Sequence, residues 1–292
     1  MRISTQQIYD SSITSIQQQA SDVMKSQTQI ASGRKYQNVS DSPQAVGYGL
    51  KLDFDKAQYD MFIINQKKMA ERISNADAQL VSINSALAKF KQVVVQSGSA
   101  FAQGTLSTTL FQQAASLRDS IKSFAQAKDT SGEAILVNMY DVDDRLGKVA
   151  IDLNVTVDEG VSLAESMGIY RTGNESPRVA VNGKTDVLTV LDRIVSELQA
   201  GNPPSADDSR DVDLAITQIR GAQVKVGIMN AQVNNALDSV ELKKVNAENA
   251  RSAVLDTDIA ESSANLAKSQ ALLQAAQSIF AKIQSSTLFD KI

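Results

Sequence analysis

Three short motifs hold the residues whose types and spacing could support chemistry. Gly183-Lys184-Thr185 resembles the end of a phosphate-binding loop, in which backbone amides and a lysine hold phosphate oxygens. The first glycine of such a loop would stand at position 178, where the chain has Arg178. Asn182-Gly183 is in addition a strong turn signal. We therefore predict a hairpin turn here and no nucleotide site.

The acidic run Asp141-Val142-Asp143-Asp144 resembles the start of a calcium-binding loop. That loop needs an oxygen ligand at its fifth position and a glycine at its sixth, because the chain must turn sharply around the ion. Arg145 and Leu146 stand at these positions. The run is therefore predicted to be a solvated acidic turn.

The composition excludes most catalytic sites. The chain has no Cys and no His, so a thiolate nucleophile, a Ser–His–Asp triad and a Cys/His metal site cannot be built.

The third motif that could support chemistry is the pair of carboxylates Asp53 and Asp55 near Asp41. Nothing beside them would shift their pKa values apart and make one an acid and another a base. A net charge of −4 does not favour nucleic acid. We expect no enzyme, no metal, no cofactor and no nucleic-acid partner.

The sequence gives no membrane or signal segment. Its longest apolar runs are short ones such as Val93-Val94-Val95. Ser, Thr and Gln interrupt every short apolar run near the N-terminus, so the continuous apolar core of a secretory signal is missing. We expect no membrane insertion and, if the protein leaves the cell, export without a cleaved signal peptide.

The elements that would carry any function are helices at the two ends of the chain. Apolar or small residues recur there at alternating spacings of four and three, which places one narrow stripe along a helix. A stripe that narrow suits contact with another helix rather than with a broad core. We predict that the two termini pair through these positions: Tyr9, Ile13, Ile16, Ala20, Val23, Gln27 and Ile30 at one end, and Leu255, Ile259, Ser262, Leu266, Ser269, Leu273, Ala276, Phe280 and Ile283 at the other.

The N-terminal stretch carries little charge. Residues 1–31 contain Arg2, Asp10, Asp22 and Lys25, four charges in 31 residues or about 13%, against 21% for the whole chain. A nearly uncharged outer face suits burial among copies, because buried charges are costly to desolvate. We expect these termini to be poorly ordered in the monomer and to order on assembly. An ordinary helical hairpin within one molecule remains the alternative.

The remaining helix, strand and turn signals predict a mainly α fold of long antiparallel helices with nested pairing of the termini and a small α/β insertion. The second helix begins at Ser42-Pro43 and ends near Gly98, with a further helix over about 105–128. The predicted domains are a terminal coiled-coil assembly domain (1–42 and 256–292), a helical-bundle arm (43–128 and 205–255) and an insertion at the tip (129–204). The insertion is predicted to hold short strands at 148–157 and 178–182 and a helix over 186–199.

The arm is predicted to close through a stripe on each of its two long helices, again spaced four and three. The outgoing helix offers Leu50, Phe54, Ala57, Met61 and Ile64 and then, after a small slip, Met69, Ile73, Ala76, Leu80, Ile83, Leu87, Phe90 and Val94. The returning helix offers Ile216, Ile219, Gln223, Val226, Asn230, Val233, Leu237 and Val240.

Both ends of the chain resemble the flagellin superfamily. The motifs are Met1-Arg2-Ile3-Ser4-Thr5, Ile30-Ala31-Ser32-Gly33-Arg34, Asp256-Thr257-Asp258-Ile259-Ala260-Glu261 and Ser286-Thr287-Leu288-Phe289-Asp290-Lys291-Ile292. Within the superfamily, Asp41-Ser42-Pro43 and the ending Leu288-Phe289-Asp290 look like the hook–filament junction proteins, whereas filament flagellins usually differ at both places.

The resemblance implies a structural subunit of the bacterial flagellum that is exported by the type III route and works outside the cell. Its implied partners are hook-associated protein 1, flagellin, other copies of itself in a ring-like layer, and an export chaperone on the C-terminal helix. A short flagellin that forms the filament itself is the main alternative. An enzyme hosted by the insertion and a non-flagellar coiled-coil adaptor are the others.

Eight residues are the candidate site for these contacts. We predict that Leu266, Leu273, Phe280 and Ile283 bind the chaperone and later pack in the assembled tube, because one amphipathic seam can serve two partners in turn. The opposing positions on the N-terminal helix are Ile13, Ile16, Val23 and Ile30.

Overall fold

A computed structural model describes residues 5–103, 108–138, 145–169 and 186–289 of the 292-residue chain. The prediction of a mainly helical fold with a small stranded insertion is confirmed. The helices are α1 (Thr5–Ser32), α2 (Pro43–Ala102), α3 (Thr108–Ala125), α4 (Leu163–Met167), α5 (Val187–Gln199), α6 (Ala206–Leu255) and α7 (Ile259–Phe289). The strands are β1 (Leu136–Val137), β2 (Lys148–Asp152), β3 (Val155–Asp158) and β4 (Val161–Ser162).

Local capping signals set the ends of the helices. Gly33 has a φ of 68° and ends α1, because glycine enters the left-handed region without a Cβ penalty. The Ser42 Oγ accepts a hydrogen bond from the Ala45 N–H at 3.4 Å and caps α2. The Asp258 Oδ1 accepts from the Ala260 and Glu261 N–H groups at 2.8 and 3.1 Å and caps α7. The start of α2 agrees with the sequence prediction.

The chain forms two compact units. The first contains residues 1–58 and 243–292, and the second contains residues 59–242. Both boundaries lie inside long helices, so α2 and α6 each contribute to both units. The three-domain division drawn from the sequence stays a prediction.

The second unit has an apolar core between α2, α3, α5 and α6. The predicted α2 positions from Met69 to Val94 are all buried, and so are most of the predicted α6 positions. Helix α5 adds a strongly amphipathic face. Its contribution and that of α3 are Val187, Leu191, Ile194, Val195, Leu198, Ala114 and Ile121. Because full burial of one such side chain contributes about 1.5–3 kcal/mol, this cluster is the main source of stability of the unit.

The strand predicted at 148–157 is two strands in the structure, β2 and β3. Strands β2 and β3 form an antiparallel hairpin that turns at Asn154, whose φ is 89°, and β1 pairs with β4 in parallel. The alternating pattern runs through the whole stretch, and the only sequence signal for the turn is Asn154, so the turn was not predicted. Lys225 on α6 holds the insertion by ion pairs to Asp158 at 3.3 Å and Glu165 at 2.6 Å. The strand predicted at 178–182 lies outside the described residues.

The early stripe on α2 was assigned to the wrong face. Leu50 and Phe54 in the first unit are 70% and 69% exposed, and Met61 and Ile64 in the second are exposed as well. In the first unit the buried apolar residue of α2 is Leu52, which is 7% exposed, and Gly49 and charged residues contact α6. Gly49 lies against the Leu255 side chain. One buried leucine beside a glycine and ion pairs does not form an apolar stripe, so the periodicity favoured the exposed face of Leu50 and Phe54.

Two ion pairs complete that contact. The Lys56 Nζ lies 2.8 Å from the Glu248 Oε1, and the Arg251 Nε lies 2.5 Å from the Asp53 Oδ1. All four side chains are partly exposed, so water screens both ion pairs and their contribution to stability is small.

Gly49→Ala should destabilise the first unit, because a Cβ at this position would overlap the Leu255 side chain at a cost of about 1–3 kcal/mol, which the helix propensity of alanine offsets only in part. Gly47→Ala is the matched control on the same helix. Its added Cβ has open space, so helix propensity should stabilise it by up to about 1 kcal/mol. Urea unfolding followed by circular dichroism measures both variants. Equal stability of the two variants would contradict the close approach.

Candidate assembly surface

Helices α1 and α7 pack against each other in the first unit, as predicted from their matching stripes. The rings of Tyr9 and Phe280 lie 4.9 Å apart at 45°, a tilted aromatic contact. All eight candidate residues are half-buried: Ile13, Ile16, Val23 and Ile30 on α1, and Leu266, Leu273, Phe280 and Ile283 on α7. The structure thus brings the two sets together into one seam, and their role in binding partners stays a prediction.

The most buried positions of the two helices are serines. Ser26 on α1 is 7% exposed and Ser262 on α7 is 9% exposed, less than any described apolar residue of either helix. Small side chains allow two helices to approach closely. The Ser262 position follows from the predicted spacing, but Ser26 does not, because a serine outside the apolar alternation gives no signal.

Helix α7 carries a second apolar stripe that sequence reasoning missed. Leu272 and Ile279 are 45% and 59% exposed and lie seven residues apart. Each directly precedes a seam residue, Leu273 and Phe280, so its side chain points about 100° away from the seam. The doublets Leu272-Leu273 and Ile279-Phe280 were the available signal. After α7 pairs with α1, this apolar stripe remains open to another partner.

A joint connects the terminal helices to α2 and α6 in the first unit. The Lys35 N–H donates to the Leu255 carbonyl at 2.8 Å, and the Thr257 N–H donates to the Gly33 carbonyl at 2.9 Å. The segment that follows α1 and the segment that precedes α7 therefore lie side by side and are hydrogen-bonded to each other. Helices α1 and α7 leave the joint as one pair.

The 33–42 loop of the joint is held by a carboxylate. The Asp41 Oδ2 accepts hydrogen bonds from the Asn38 and Gln37 N–H groups, both at 3.0 Å. These backbone bonds, first that of Asn38 and then that of Gln37, lower the pKa of Asp41 below its usual 3.8. Asp41 is therefore ionised at neutral pH and acts as a structural residue of the loop.

The motifs tested for chemistry do not form a site in the described part of the chain. Gly183-Lys184-Thr185 and the 141–144 run lie outside the described residues. Within the ranges that the structure describes, no cluster of three or more acidic residues is arranged to hold a metal ion. Asp53 forms an ion pair with Arg251. None of the described helices is long and apolar enough to span a membrane.

Two regions of bacterial flagellin match the chain. The N-terminal helical region matches residues 3–141, and the C-terminal helical region matches residues 210–289. Together they cover about three quarters of the sequence. The chain belongs to the flagellin superfamily. Helices α1 and α7, which form the seam, lie inside the two matching regions, so the candidate assembly surface is built from family-defining elements.

Named relatives within the superfamily are of two kinds. The flagellar hook-associated protein 3 of Escherichia coli is 23% identical over 99% of both chains. That of Salmonella typhimurium is 26% identical over 46% of this chain and 43% of its own length. The flagellin of Bacillus subtilis is 21% identical over 88% of both chains. This flagellin-superfamily chain is therefore a structural component of the bacterial flagellum.

A solved structure supports the fold. It is described provisionally as a flagellar hook-associated protein of Vibrio parahaemolyticus and covers 73% of this chain and 99% of its own, with a TM-score of 0.58 and 18% identity. At that identity the likeness concerns the fold alone. The superfamily assignment rests on the two flagellin regions.

Proposed function

We propose that this flagellin-superfamily chain is the structural adaptor that joins the flagellar hook to the filament. The observation that carries the proposal is the alignment with hook-associated protein 3 of Escherichia coli along 99% of both chains. It is supported by Asp41-Ser42-Pro43, which resembles the junction proteins and forms the α2 cap in the structure. The chain acts mechanically in this role, and its chemistry is that of helix packing.

The proposed partners follow from the same role. Hook-associated protein 1 lies on one side of the adaptor, flagellin lies on the other, and copies of the chain form a ring-like layer between them. Before export, a chaperone binds α7 through Leu266, Leu273, Phe280 and Ile283. These residues are half-buried on a helix that packs against α1, and Phe280 contacts Tyr9, so the chaperone and α1 would compete for the same side of α7.

A short flagellin is the second candidate. The Bacillus subtilis flagellin aligns along 88% of both chains, so the length and helical plan fit a filament subunit too. The two functions differ in copy number, because a filament needs many copies and a junction needs one layer.

Deletion of the gene distinguishes these functions when cells and culture medium are examined together. Hooks without filaments and flagellin monomers in the medium are the result expected for the junction adaptor. Missing filaments with no secreted flagellin would instead identify the chain as the filament subunit. Normal filaments would overturn both candidates and would bring the insertion back as the place to search.

A further inference from the structure

The joint in the first unit contains a cavity of about 230 Å³. Its apolar walls come from the 33–42 loop, the start of α2 and the end of α6: Tyr36, Val39, Val46, Leu50 and Leu255. Val39 and Leu50 are 64% and 70% exposed, so the apolar surface continues out of the cavity. Two large apolar side chains exposed at one opening indicate a site that receives an apolar group.

The charged residues that line this cavity are two arginines, Arg34 and Arg251, and one aspartate, Asp53. Arg251 lines it but is already paired with Asp53 at 2.5 Å and lies 3.8 Å from Asp256. Arg34 lines it too, and no carboxylate of the described residues forms an ion pair with its guanidinium. An occupant that brings a carboxylate beside its apolar group would match this arginine.

Helix α6 presents such a group on the second unit. Asp238, Glu241 and Leu242 stand at positions i, i+3 and i+4, so the three side chains are neighbours on one helix face. All three are exposed. The next residues, Lys243 and Lys244, are half-buried and make other contacts. Leu242 is therefore an exposed apolar side chain flanked by the carboxylates of Asp238 and Glu241, and these three residues are called the knob.

We propose that Leu242 of one copy enters the joint cavity of a neighbouring copy, where Asp238 and Glu241 face Arg34. The inference rests on the self-assembly in the proposed function and names its contact residues. The cavity and the knob are different surfaces, and every copy carries both. A contact of this kind is heterologous, so it repeats from copy to copy and closes into a ring when the rotation allows.

Cysteine cross-linking tests the contact directly, because the natural chain contains no Cys. Full-length Val39→Cys protein is mixed with full-length Leu242→Cys protein and oxidised, and disulfide dimers are counted on a gel. A disulfide needs the two Cβ atoms within about 4.5 Å, so only adjacent positions react. We expect dimers in the mixture at several times the yield of either protein alone. Equal yield from Val39→Cys alone would place two cavities against each other and overturn the heterologous contact.

Charge reversal provides the second readout. Arg34→Glu in the Val39→Cys protein should lower the dimer yield at least about tenfold, a change that corresponds to about 1.4 kcal/mol. Combining it with a Leu242→Cys partner that carries Glu241→Arg should restore most of the yield. Arg220→Glu, which reverses another exposed arginine, is the matched control and should leave the yield unchanged. A yield insensitive to Arg34→Glu would overturn the proposed pairing.

The same variants separate this inference from the proposed function. The deleted strain is complemented with the natural gene or with Arg34→Glu. If the natural gene restores filaments and Arg34→Glu does so equally, with no cross-link in the mixture, the contact is wrong and the junction role stands. If deletion itself leaves filaments normal, the junction role fails whatever the cross-link shows.

Discussion

Replacing Leu273 and Phe280 together by glutamate should abolish filament growth and leave the second unit folded. Both side chains are half-buried in the seam, where Phe280 also contacts Tyr9. Losing two half-buried apolar side chains removes about 1.5–3 kcal/mol from the contact, and the new carboxylates must stay hydrated. Without that contact α1 and α7 cannot form the pair that assembles.

The matched control is the exposed stripe next to the seam. Leu272→Glu with Ile279→Glu places two carboxylates on the same helix at positions that are 45% and 59% exposed, outside the half-buried seam. The monomer of this control should keep its full helix content by circular dichroism, whereas the seam variant should lose part of its terminal helices. If both monomers lose helix equally, the assignment of the two faces is wrong.

Chaperone binding and assembly are read out separately for the two variants. Titration calorimetry should show no chaperone binding to the seam variant, because the proposed docking residues are the ones replaced. Unchanged affinity would contradict the proposal that the seam serves the chaperone. If the control binds the chaperone but forms no filaments, the second stripe is the surface that meets a neighbouring subunit.

Met69→Ala should destabilise the second unit by about 2–5 kcal/mol, while Met61→Ala should change its stability by less than about 0.5 kcal/mol. Both methionines lie on α2 in this unit, and both belong to the stripe predicted from the sequence. Met69 is 2% exposed in the core and Met61 is 62% exposed. Truncation at Met69 leaves a cavity, whereas truncation at Met61 removes only surface in contact with water.

Urea unfolding and hydrogen exchange measure this pair. Because the chain has two units, one unfolding curve is not assumed to be two-state, and exchange of α2 and α6 amides in the second unit reports its own opening. Similar losses for both variants would show that the outer stripe is buried in the monomer. If Met69→Ala reduced the stability of the second unit only slightly, the assignment of Met69 to the core would be contradicted.

The paired termini were predictable because their signal is local and repeated. Both helices carry a narrow apolar stripe with the same spacing. Its members include Ile13, Ile16 and Val23 on one helix and Leu266 and Leu273 on the other. Two such stripes have few ways to be covered other than by each other. The cap at Ser42 was predictable for the same reason, since its side chain bonds the backbone only three residues away.

The first part of α2 was not predictable in the same way. Leu50 and Phe54 continue the correct spacing, yet they lie on the exposed face. The contact face there depends on Gly49 beside Leu255 and on the pairing of Asp53 with Arg251, residues about two hundred positions apart. A single buried leucine (Leu52), a glycine and an ion pair have no periodic signature, and their partners are known only when the chain is folded.

By itself the sequence determined the fold class and the plan of the helices. The lack of Cys and His, the long proline-free runs and the matched ends are properties of composition and spacing, which do not depend on distant contacts. Tertiary structure alone decided which stripe of α2 is buried, that α7 keeps an open stripe at Leu272 and Ile279, and that the joint encloses a cavity. Periodicity reports which residues share a helix face, but only packing decides which face is covered.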